Sequence, residues 1–353
     1  MGVRVLVGTA KGGFWVTSGN RRDWEVAGPF LKGWKVTAGL RLPDGRFLAG
    51  VASDVYGPAI HMYRNYVHNS TWEQLPGGPE YPEGGPSRFR QIWTLAANRG
   101  TLYAGVQDAG LFRSTDGGNS WDPLTGLNEH ATREAWMPGA GGLCCHALLF
   151  SPDNPERMWC GISAVGVFRT DDGGASWVPK NRGVYWAHED EEFKEIGYCV
   201  HGLAQDPDDP EVIYRQDHSG MYRSRDGAER WERNESGLDS AFGFPIVLDR
   251  ATRFLFAVPQ ESDQYRVPVG GALTVMRSTD GGDSWHSASA GLPAAHAFGT
   301  VLRGAMSGDD LEPGGVYMGT TSGTLHVSTD LGESWTNLPV VLPRILHVSA
   351  WVD

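Results

Sequence analysis

STDGGNSW, residues 114–121, is the first of five similar octapeptides along the 353-residue chain. Every copy has Ser or Thr first, Asp third and Trp last, and all but one have Gly fifth; Ala228 is the exception. An Asp that accepts backbone N–H groups, a glycine at positive φ and a buried Trp together predict a hairpin turn. We interpret these residues as structural, with a slightly degenerate turn at Ala228. The other copies are TDDGGASW (170–177), SRDGAERW (224–231), STDGGDSW (278–285) and STDLGESW (328–335).

The tryptophans that end the octapeptides mark a repeat that spans the chain. Trp24 and Trp72 extend the series toward the N-terminus without the aspartate, and the seven positions are 48 to 56 residues apart. Each octapeptide lies between two strand-like segments, so it joins the last two strands of a four-stranded unit. Seven near-equal units predict an all-β, seven-bladed β-propeller with four-stranded antiparallel blades, in a single domain of residues 1–353.

The two ends of the chain complete one blade between them. The segment RILHVSAWV (344–352) has the pattern of an inner strand, but no strands follow it. The N-terminal VRVLVGTAKGGFWVT (3–17) has no inner strand before it. We therefore expect the C-terminal strand to pair with the N-terminal ones, which leaves no sheet edge unpaired around the ring.

Composition and charge restrict the partners. The formal net charge of −12 repels phosphate backbones and anionic lipid surfaces, so neither nucleic acid nor a membrane is expected as a partner. The N-terminus lacks the pattern of a signal peptide, and four unevenly spaced cysteines fit reduced thiols better than a disulfide framework. These features predict a cytoplasmic protein and leave its oligomeric state open.

The octapeptide resembles the Asp-box (BNR) repeat of sialidases, of xyloglucan-cleaving glycosidases, and of the sortilin and photosystem-assembly-factor propellers. Segments such as SPDNPERMWCGISAVGVFRTDDGGASW (151–177) are similar to bacterial sialidase-like repeat proteins that are often labelled glycosyl hydrolases. The resemblance covers the whole chain as an architecture and implies the propeller fold. One fold hosts many functions, so a glycosidase-like activity is implied by likeness alone.

The chain departs from the sialidase pattern in two respects. Sialidases have six blades, and they carry a Phe/Tyr-Arg-Ile-Pro motif near the start of the chain. The nearest match here is FRQI (89–92), which lacks the proline and lies in the second unit. Sialidase chemistry itself is therefore not expected.

Chain topology assigns the loops to two faces of the ring. The octapeptide turns share one face with the links between the first and second strands of each unit. The links from second to third strand and from blade to blade lie on the other face, which we call the site face. Long connections such as 128–142 and 259–271 fall there, and long loops on a rigid scaffold are usual carriers of binding and catalysis.

Aligned inner strands place an unusual set of polar side chains around the central channel. Strand alternation adds Cys144 and Cys199 on the channel side, which gives Cys-x-His on two adjacent blades. Imidazole and thiolate together suit copper, zinc or iron, although the same residues can also line a polar channel and hydrogen-bond water. The expected metal ligands are His146, His201, His218 and His296. The aligned ring consists of Lys35, Trp93, His146, His201, Pro245, Arg303 and His347.

Three functions remain open at this level. The first is an enzyme that acts on a small or carbohydrate-like polar substrate at the channel mouth, with His and carboxylate residues as acid–base groups. A glycosidase needs one protonated and one ionised carboxylate. The second is a metal-dependent enzyme of another class, and the third is a non-catalytic binding or assembly scaffold. The expected catalytic residues are His146, His201, Asp217, Glu261 and Arg303. The expected ligand-binding residues are Lys35, Arg90, Trp93, His347 and Trp186.

Overall fold

A computed structural model describes residues 1–66, 69–185 and 194–353. It contains seven four-stranded antiparallel sheets arranged as blades around a central channel. In six of them the strands follow chain order from the inside outward, and in the seventh the C-terminal strand lies innermost. The prediction of a seven-bladed, all-β propeller is confirmed. In the described part of the chain, helical structure is limited to α1 (Thr125–Asn128) and two short 3-10 turns at Arg133–Ala135 and Val269–Gly271.

The blades follow one another along the chain. Blade 1 consists of β28 (Ile345–Val352), β1 (Val3–Thr9), β2 (Gly12–Ser18) and β3 (Glu25–Phe30). Blade 2 consists of β4 (Lys35–Arg41), β5 (Phe47–Ser53), β6 (Gly57–Tyr66) and β7 (Asn69–Gln74). Blade 3 consists of β8 (Gln91–Asn98), β9 (Thr101–Gln107), β10 (Gly110–Ser114) and β11 (Asp122–Pro123). Blade 4 consists of β12 (Cys145–Phe150), β13 (Met158–Ile162), β14 (Gly166–Thr170) and β15 (Val178–Pro179).

The remaining three blades have the same plan. Blade 5 consists of β16 (Val200–Gln205), β17 (Ile213–Asp217), β18 (Gly220–Ser224) and β19 (Glu232–Arg233). Blade 6 consists of β20 (Gly243–Leu248), β21 (Leu255–Pro259), β22 (Met276–Ser278) and β23 (His286–Ser287). Blade 7 consists of β24 (Met306–Gly308), β25 (Val316–Gly319), β26 (Leu325–Ser328) and β27 (Thr336–Asn337).

Blade 1 closes the ring through the two chain ends. Strand β28 is its innermost strand and pairs with β1 in a register that runs from Val3 opposite Val352 to Gly8 opposite His347. Ile345 and Val348 of β28 are fully or almost fully buried in the core cluster shared with blade 7. The expected closure by N- and C-terminal strands is confirmed, and the circle is fastened by hydrogen bonds as well as by apolar packing.

The octapeptides form hairpin turns between the third and fourth strands of blades 3 to 7. In the second copy, the Thr170 hydroxyl donates to Asp172 Oδ1 at 2.6 Å and accepts the N–H of Gly174 at 2.9 Å. Ser176 donates its N–H to Asp172 Oδ1 and its hydroxyl to Oδ2. Trp177 is 4% exposed beneath the turn. In the third copy Ala228 adopts a φ of +71°, a conformation that favours glycine, at the position that glycine occupies in the other four copies.

A β-bulge interrupts the inner strand of blades 1 to 6 at one level of the channel. In β8, for example, Ile92 pairs with Val106 and Thr94 pairs with Gly105, so Trp93 has no partner and turns toward the channel. A bulge breaks the two-residue alternation of a strand and re-aims the extra side chain. The residues that the bulges turn into the channel are Thr37, Trp93, His146, His201, Phe244 and Leu346.

Among the described residues, no helix has the length and apolar character needed to cross a bilayer.

Candidate functional site

The central channel contains a cavity of about 550 Å³ whose wall is rich in cations. Besides the bulge residues, it is lined by Lys35, Arg266, Arg303 and Arg344. No carboxylate lines this cavity in the described part of the chain. A protein of net charge −12 thus concentrates positive charge in its channel, which raises the local concentration of anionic solutes there.

A second cavity of about 380 Å³ adjoins the channel. His201, Phe244, Arg266 and Arg303 line both spaces, so the two cavities share a wall. The remaining lining comes from links between blades and from links between second and third strands, which is the face where sequence topology places the site. We call this space the side cavity. Its own polar side chains are Ser163, Cys199, Asp217, His218, Ser219 and Asp263.

Three residues in the wall of the side cavity, one of them shared with the channel, form a compact group. Cys199 Sγ, a ring nitrogen of His201 and a ring nitrogen of His218 all lie within 4.8 Å of one another, and Cys199 Sγ is 3.5 Å from His201 Nε2. Cys199 is half-buried at the end of the link into β16, His201 is the buried bulge residue of that strand, and His218 is exposed in the β17–β18 hairpin. Among the described residues, no other group of three or more His, Cys, Asp or Glu side chains has this metal-ligand proximity.

Hydrogen bonds fix the orientation of the two imidazoles. His201 Nδ1 donates to the carbonyl of Gly243 at 2.6 Å, which leaves the lone pair of Nε2 directed at Cys199. His218 Nε2 lies 3.7 Å from Asp263 Oδ2, and its ring also hydrogen-bonds the Cys199 thiol. The preferred tautomer of His201 is therefore set by the backbone of blade 6.

The electrostatic surroundings shift the protonation equilibria of this group in opposite directions. Burial lowers the pKa of His201 well below its usual value, so its imidazole is neutral. Burial opposes ionisation of Cys199, but hydrogen bonds from His218 and Ser163 and the charge of Arg303 together hold its pKa below the usual thiol value. The hydrogen bond with Cys199 raises the pKa of His218. The surroundings of Cys199 thus favour its thiolate form. The thiolate is the form of cysteine that binds metals or acts as a nucleophile.

Arg303 enters the site from the opposite side of the channel. Its Nη2 donates to Ser163 Oγ at 3.2 Å, and Ser163 Oγ is 3.4 Å from Cys199 Sγ. Its guanidinium lies 5.0 Å from the centre of the Phe244 ring, and its Nε is buried without a hydrogen-bond partner. Within the described ranges, no carboxylate forms an ion pair with Arg303. A buried cation in a cavity wall that forms no ion pair with a described carboxylate is suited to bind an anionic group of a ligand.

The histidines expected to bind a metal do not all meet. The structure brings His201 and His218 together, but His146 and His296 lie outside the group. His146 Nε2 donates to the carbonyl of Val200 at 2.9 Å, and burial together with Arg303 lowers the pKa of its imidazole to about 3. His296 is exposed at a positive φ of +57° in the link before β24.

The Cys-x-His pattern also has different outcomes in the two blades. Cys199 joins the site, whereas the Cys144 thiol donates to the carbonyl of Gly141 at 3.1 Å, and burial raises its pKa to about 12. Bulges at His146 and His201 interrupt the alternation used to place both cysteines, and Cys144 lines neither cavity. Cys144 is therefore a buried, protonated thiol in a loop.

Neither expected catalytic carboxylate stands free in the channel. Asp217 is buried at the wall of the side cavity, where one oxygen is ion-paired with Arg215 and the other accepts the N–H and hydroxyl of Ser219. Glu261 is exposed, accepts the N–H of Gly270 at 3.3 Å and lines neither cavity. The pair of free carboxylates that a glycosidase needs is therefore not formed by these two residues.

Only some of the expected ligand-binding residues line the channel. Lys35 and Trp93 line the channel cavity, although Lys35 is also ion-paired with Asp54 at 2.7 Å. Arg90 pairs with Asp108 on the surface, away from both cavities. His347 bonds Ser349 at 2.6 Å, and Leu346 lines the channel in its place because the bulge of β28 shifts the register by one residue. Trp186 lies outside the described residues.

Sequence reasoning missed several site residues. Arg266, Asp263 and Ser163 lie in links between second and third strands, and Arg344 immediately precedes β28. The first two fall in the loop 259–271 that topology assigned to the site face, so position pointed to the loop. Nothing in the sequence distinguished these residues from other polar residues in surface loops.

Comparisons with known proteins support the architecture more strongly than the chemistry. No protein-family model matches the chain, so the sialidase-like family inferred from the octapeptides is not shown. The chain is 25% identical over 269 residues to a xyloglucanase from Paenibacillus sp. The aligned region is 67% of this chain and 24% of the relative. It is also 25% identical over 208 residues to an oligoxyloglucan-reducing end-specific xyloglucanase from Emericella nidulans, which covers 57% of this chain and 24% of that protein. The chain thus spans about a quarter of the length of these curated relatives.

Solved structures are similar to the chain at the level of the fold. An ancestral GH74 enzyme superposes with a TM-score of 0.51 at 16% identity, over 86% of this chain and 36% of that one. A catalytically inactive virginiamycin B lyase from Staphylococcus aureus gives a TM-score of 0.55 at 10% identity, over 96% of this chain and 88% of that one. These proteins differ in chemistry, so the comparison establishes a seven-bladed β-propeller with distant xyloglucanase-like relatives.

Proposed function

We propose that the protein is an enzyme that binds a small, carbohydrate-like molecule carrying a negative charge in its central channel. The observation that carries this proposal is Arg303, a channel cation that has no carboxylate partner among the described residues. Lys35, Arg266 and Arg344 line the same cavity. A carboxylate or phosphate group of a ligand would supply an oxyanion for this cation and accept the unpaired N–H of Arg303.

The carbohydrate-like character is supported by the distant relatives and by exposed aromatic residues on the site face. The two curated relatives are named as xyloglucanases, although each is covered over only 24% of its length. Tyr56, Tyr265 and Phe298 are 77%, 68% and 64% exposed, and all three lie in links on the site face. Exposed aromatic rings can stack on the apolar face of a sugar ring while its hydroxyls remain solvated.

The cationic cavity refines the glycosidase-like expectation. A glycosidase of the two-carboxylate type needs a protonated acid and an ionised partner across the scissile bond. The described residues that line the channel include four cationic side chains and no carboxyl group. The charge therefore favours an acidic sugar over a neutral one, and favours chemistry performed by side chains other than a carboxylate pair.

Matched pairs of sugars test this proposal. We expect galacturonate to bind more tightly than galactose, and glucuronate more tightly than glucose, when binding is measured by calorimetry at low salt. In Arg303→Met, binding of the acidic sugars should weaken by about 10- to 100-fold, the range expected for the loss of a charge-assisted hydrogen bond. Arg303→Lys should retain part of the affinity because it keeps the charge.

Arg277→Met is the matched control. Arg277 bonds the Leu331 carbonyl and pairs with Glu333 at an octapeptide turn, so its loss removes one arginine without touching the channel. The control should bind the acidic sugars as the unmodified protein does. Equal binding of acidic and neutral sugars, or full affinity in Arg303→Met, would refute an anionic ligand.

A further inference from the structure

We infer that Cys199, His201 and His218 form a three-ligand site for a transition metal ion, with an open coordination position toward the side cavity. This site is independent of the proposed sugar ligand, because it rests on the mutual positions of three side chains. It also differs from the set of histidines that the sequence suggested, since it includes a thiolate and excludes His146 and His296.

The spacing of the donor atoms fits a tetrahedral ion. With a metal–sulfur bond of about 2.3 Å and a metal–nitrogen bond of about 2.0 to 2.1 Å, tetrahedral angles separate the sulfur and nitrogen by about 3.5 Å. Cys199 Sγ and His201 Nε2 are 3.5 Å apart. The remaining separations are at most 4.8 Å, and the side chain of His218 is 46% exposed, so a small inward movement of His218 would complete the set.

The surroundings of the group have the features of a metal site. Ligating imidazoles usually donate their second N–H to a carbonyl or a carboxylate, which fixes the tautomer and orients the ring. His201 donates to the Gly243 carbonyl at 2.6 Å, and His218 Nε2 faces Asp263 Oδ2 at 3.7 Å. The bulge that aims His201 into the channel belongs to the rigid inner strand of blade 5, so this ligand is positioned by the fold rather than by a loop.

The open position points to a reactive rather than a structural ion. Structural zinc sites use four protein ligands, whereas catalytic sites keep one position for water or substrate. Here three ligands border a cavity of about 380 Å³, and Arg303 reaches Ser163, which itself contacts Cys199 Sγ. An anionic group bound in this cavity could therefore contact the ion and Arg303 together. One thiolate with two imidazoles suits zinc, copper or iron.

The same three side chains offer one competing chemistry. Without a metal, Cys199 could act as a thiolate nucleophile paired with a protonated His218. In that case His201 would be a neighbour rather than a ligand, and an alkylating reagent would react rapidly with Cys199 whether or not metal ions were present. Direct measurement of metal binding separates the two possibilities without any assay of activity.

Cobalt is the most informative probe. The full chain, prepared under reducing conditions and stripped with a chelator, should bind one equivalent of Co²⁺ and develop both a thiolate-to-cobalt charge-transfer band and the visible bands of a tetrahedral ion. Zn²⁺ should displace the Co²⁺ and protect Cys199 from iodoacetamide. Cys199→Ser should abolish the charge-transfer band and weaken Co²⁺ binding at least tenfold, and His201→Ala should weaken it similarly.

Further variants separate the loss of a metal ligand from misfolding and from changes outside the group. His218→Gln alters an exposed hairpin residue, so the protein should fold normally while it loses affinity for Co²⁺. Cys144→Ser and His296→Ala change a cysteine and a histidine outside the group, and both should retain one equivalent with the full spectrum. An absent charge-transfer band, Co²⁺ binding unchanged in Cys199→Ser, or iodoacetamide reactivity that Zn²⁺ does not suppress would overturn the metal site and favour the free thiolate.

Discussion

The two faces of the ring use their residues in opposite ways. On the octapeptide face, five turns repeat one set of contacts, and each Ser or Thr hydroxyl bonds the Asp carboxylate at 2.6 to 2.8 Å. On the site face, the links between second and third strands of blades 4, 5 and 6 contribute different polar side chains to the side cavity, namely Ser163, His218 and Asp263. Arg303 has no carboxylate partner among the described residues. In this molecule the repeated residues close turns, and the unrepeated ones are available for binding and chemistry.

Removal of the residues that close the ring should damage both faces at once and have the largest effect. Deletion of 344–353 removes β28, exposes the inner edge of β1 and takes Ile345 and Val348 out of the core. We expect the truncated protein to lose its cooperative thermal transition, as measured by circular dichroism and proteolysis. Deletion of Asp353 alone, which removes one surface ion pair with Arg4, is the control and should melt near the wild-type temperature. An unchanged melting temperature in the longer deletion would mean that blade 1 does not close the ring.

A substitution on the octapeptide face should separate stability from binding. Trp177→Ala removes a buried indole and should lower the free energy of unfolding by about 3 to 5 kcal/mol, as other large buried aromatics do. Urea denaturation measures this loss, and the neighbouring exposed Val178→Ala provides the control. The folded fraction of Trp177→Ala should still bind Co²⁺ and acidic sugars. A variant of normal stability without binding would show that the two faces are not separate in function.

The smallest expected effect concerns the carboxylate inside one turn. Hydrogen bonds from Ser176 and Thr170 lower the pKa of Asp172 to about 2. A carboxyl whose pKa is lowered on folding adds stability above its unfolded pKa of about 3.9 and loses it as the pH falls toward the folded value. Asp172→Asn should therefore reduce stability at pH 7 by less than about 1 kcal/mol, because the group is exposed to solvent.

The pH dependence of that difference is the sharper test. Between about pH 4 and pH 2, urea denaturation should show the stability of Asp172→Asn and of the unmodified protein converging. Val178→Ala, at an exposed and uncharged position just beyond the same turn, should show no such convergence. A stability difference that persists at low pH would mean that Asp172 acts through its shape rather than its charge.

Local signals were sufficient for most of the fold. The five octapeptides identified the last hairpin of blades 3 to 7, and the spacing of seven tryptophans gave the number of blades. The pattern of RILHVSAWV predicted the strand that the structure places as β28 at Ile345–Val352. These inferences succeeded because each depends on residues close together in the chain, or on a period that a closed ring must repeat.

The candidate site was predictable only in part. Lys35, Trp93, His146, His201 and Arg303 line the channel as the alignment of inner strands predicted. His347 and Pro245 do not, because the bulges shift the register, and the letters of a strand do not reveal where a bulge falls. Cys144 was also misplaced, because its thiol bonds the Gly141 carbonyl and lines neither cavity.

The sequence by itself determined the number of blades, their closure and the face that carries the varied loops. Only the tertiary structure decided which polar groups meet: it joined Cys199 and His201 of blade 5 to His218, and brought Arg303 across the channel to Ser163 of blade 4. The reason is physical. Blade formation depends on short-range periodicity and turn chemistry, whereas distances across the channel depend on how six bulged strands converge on one axis, which no stretch of sequence encodes locally.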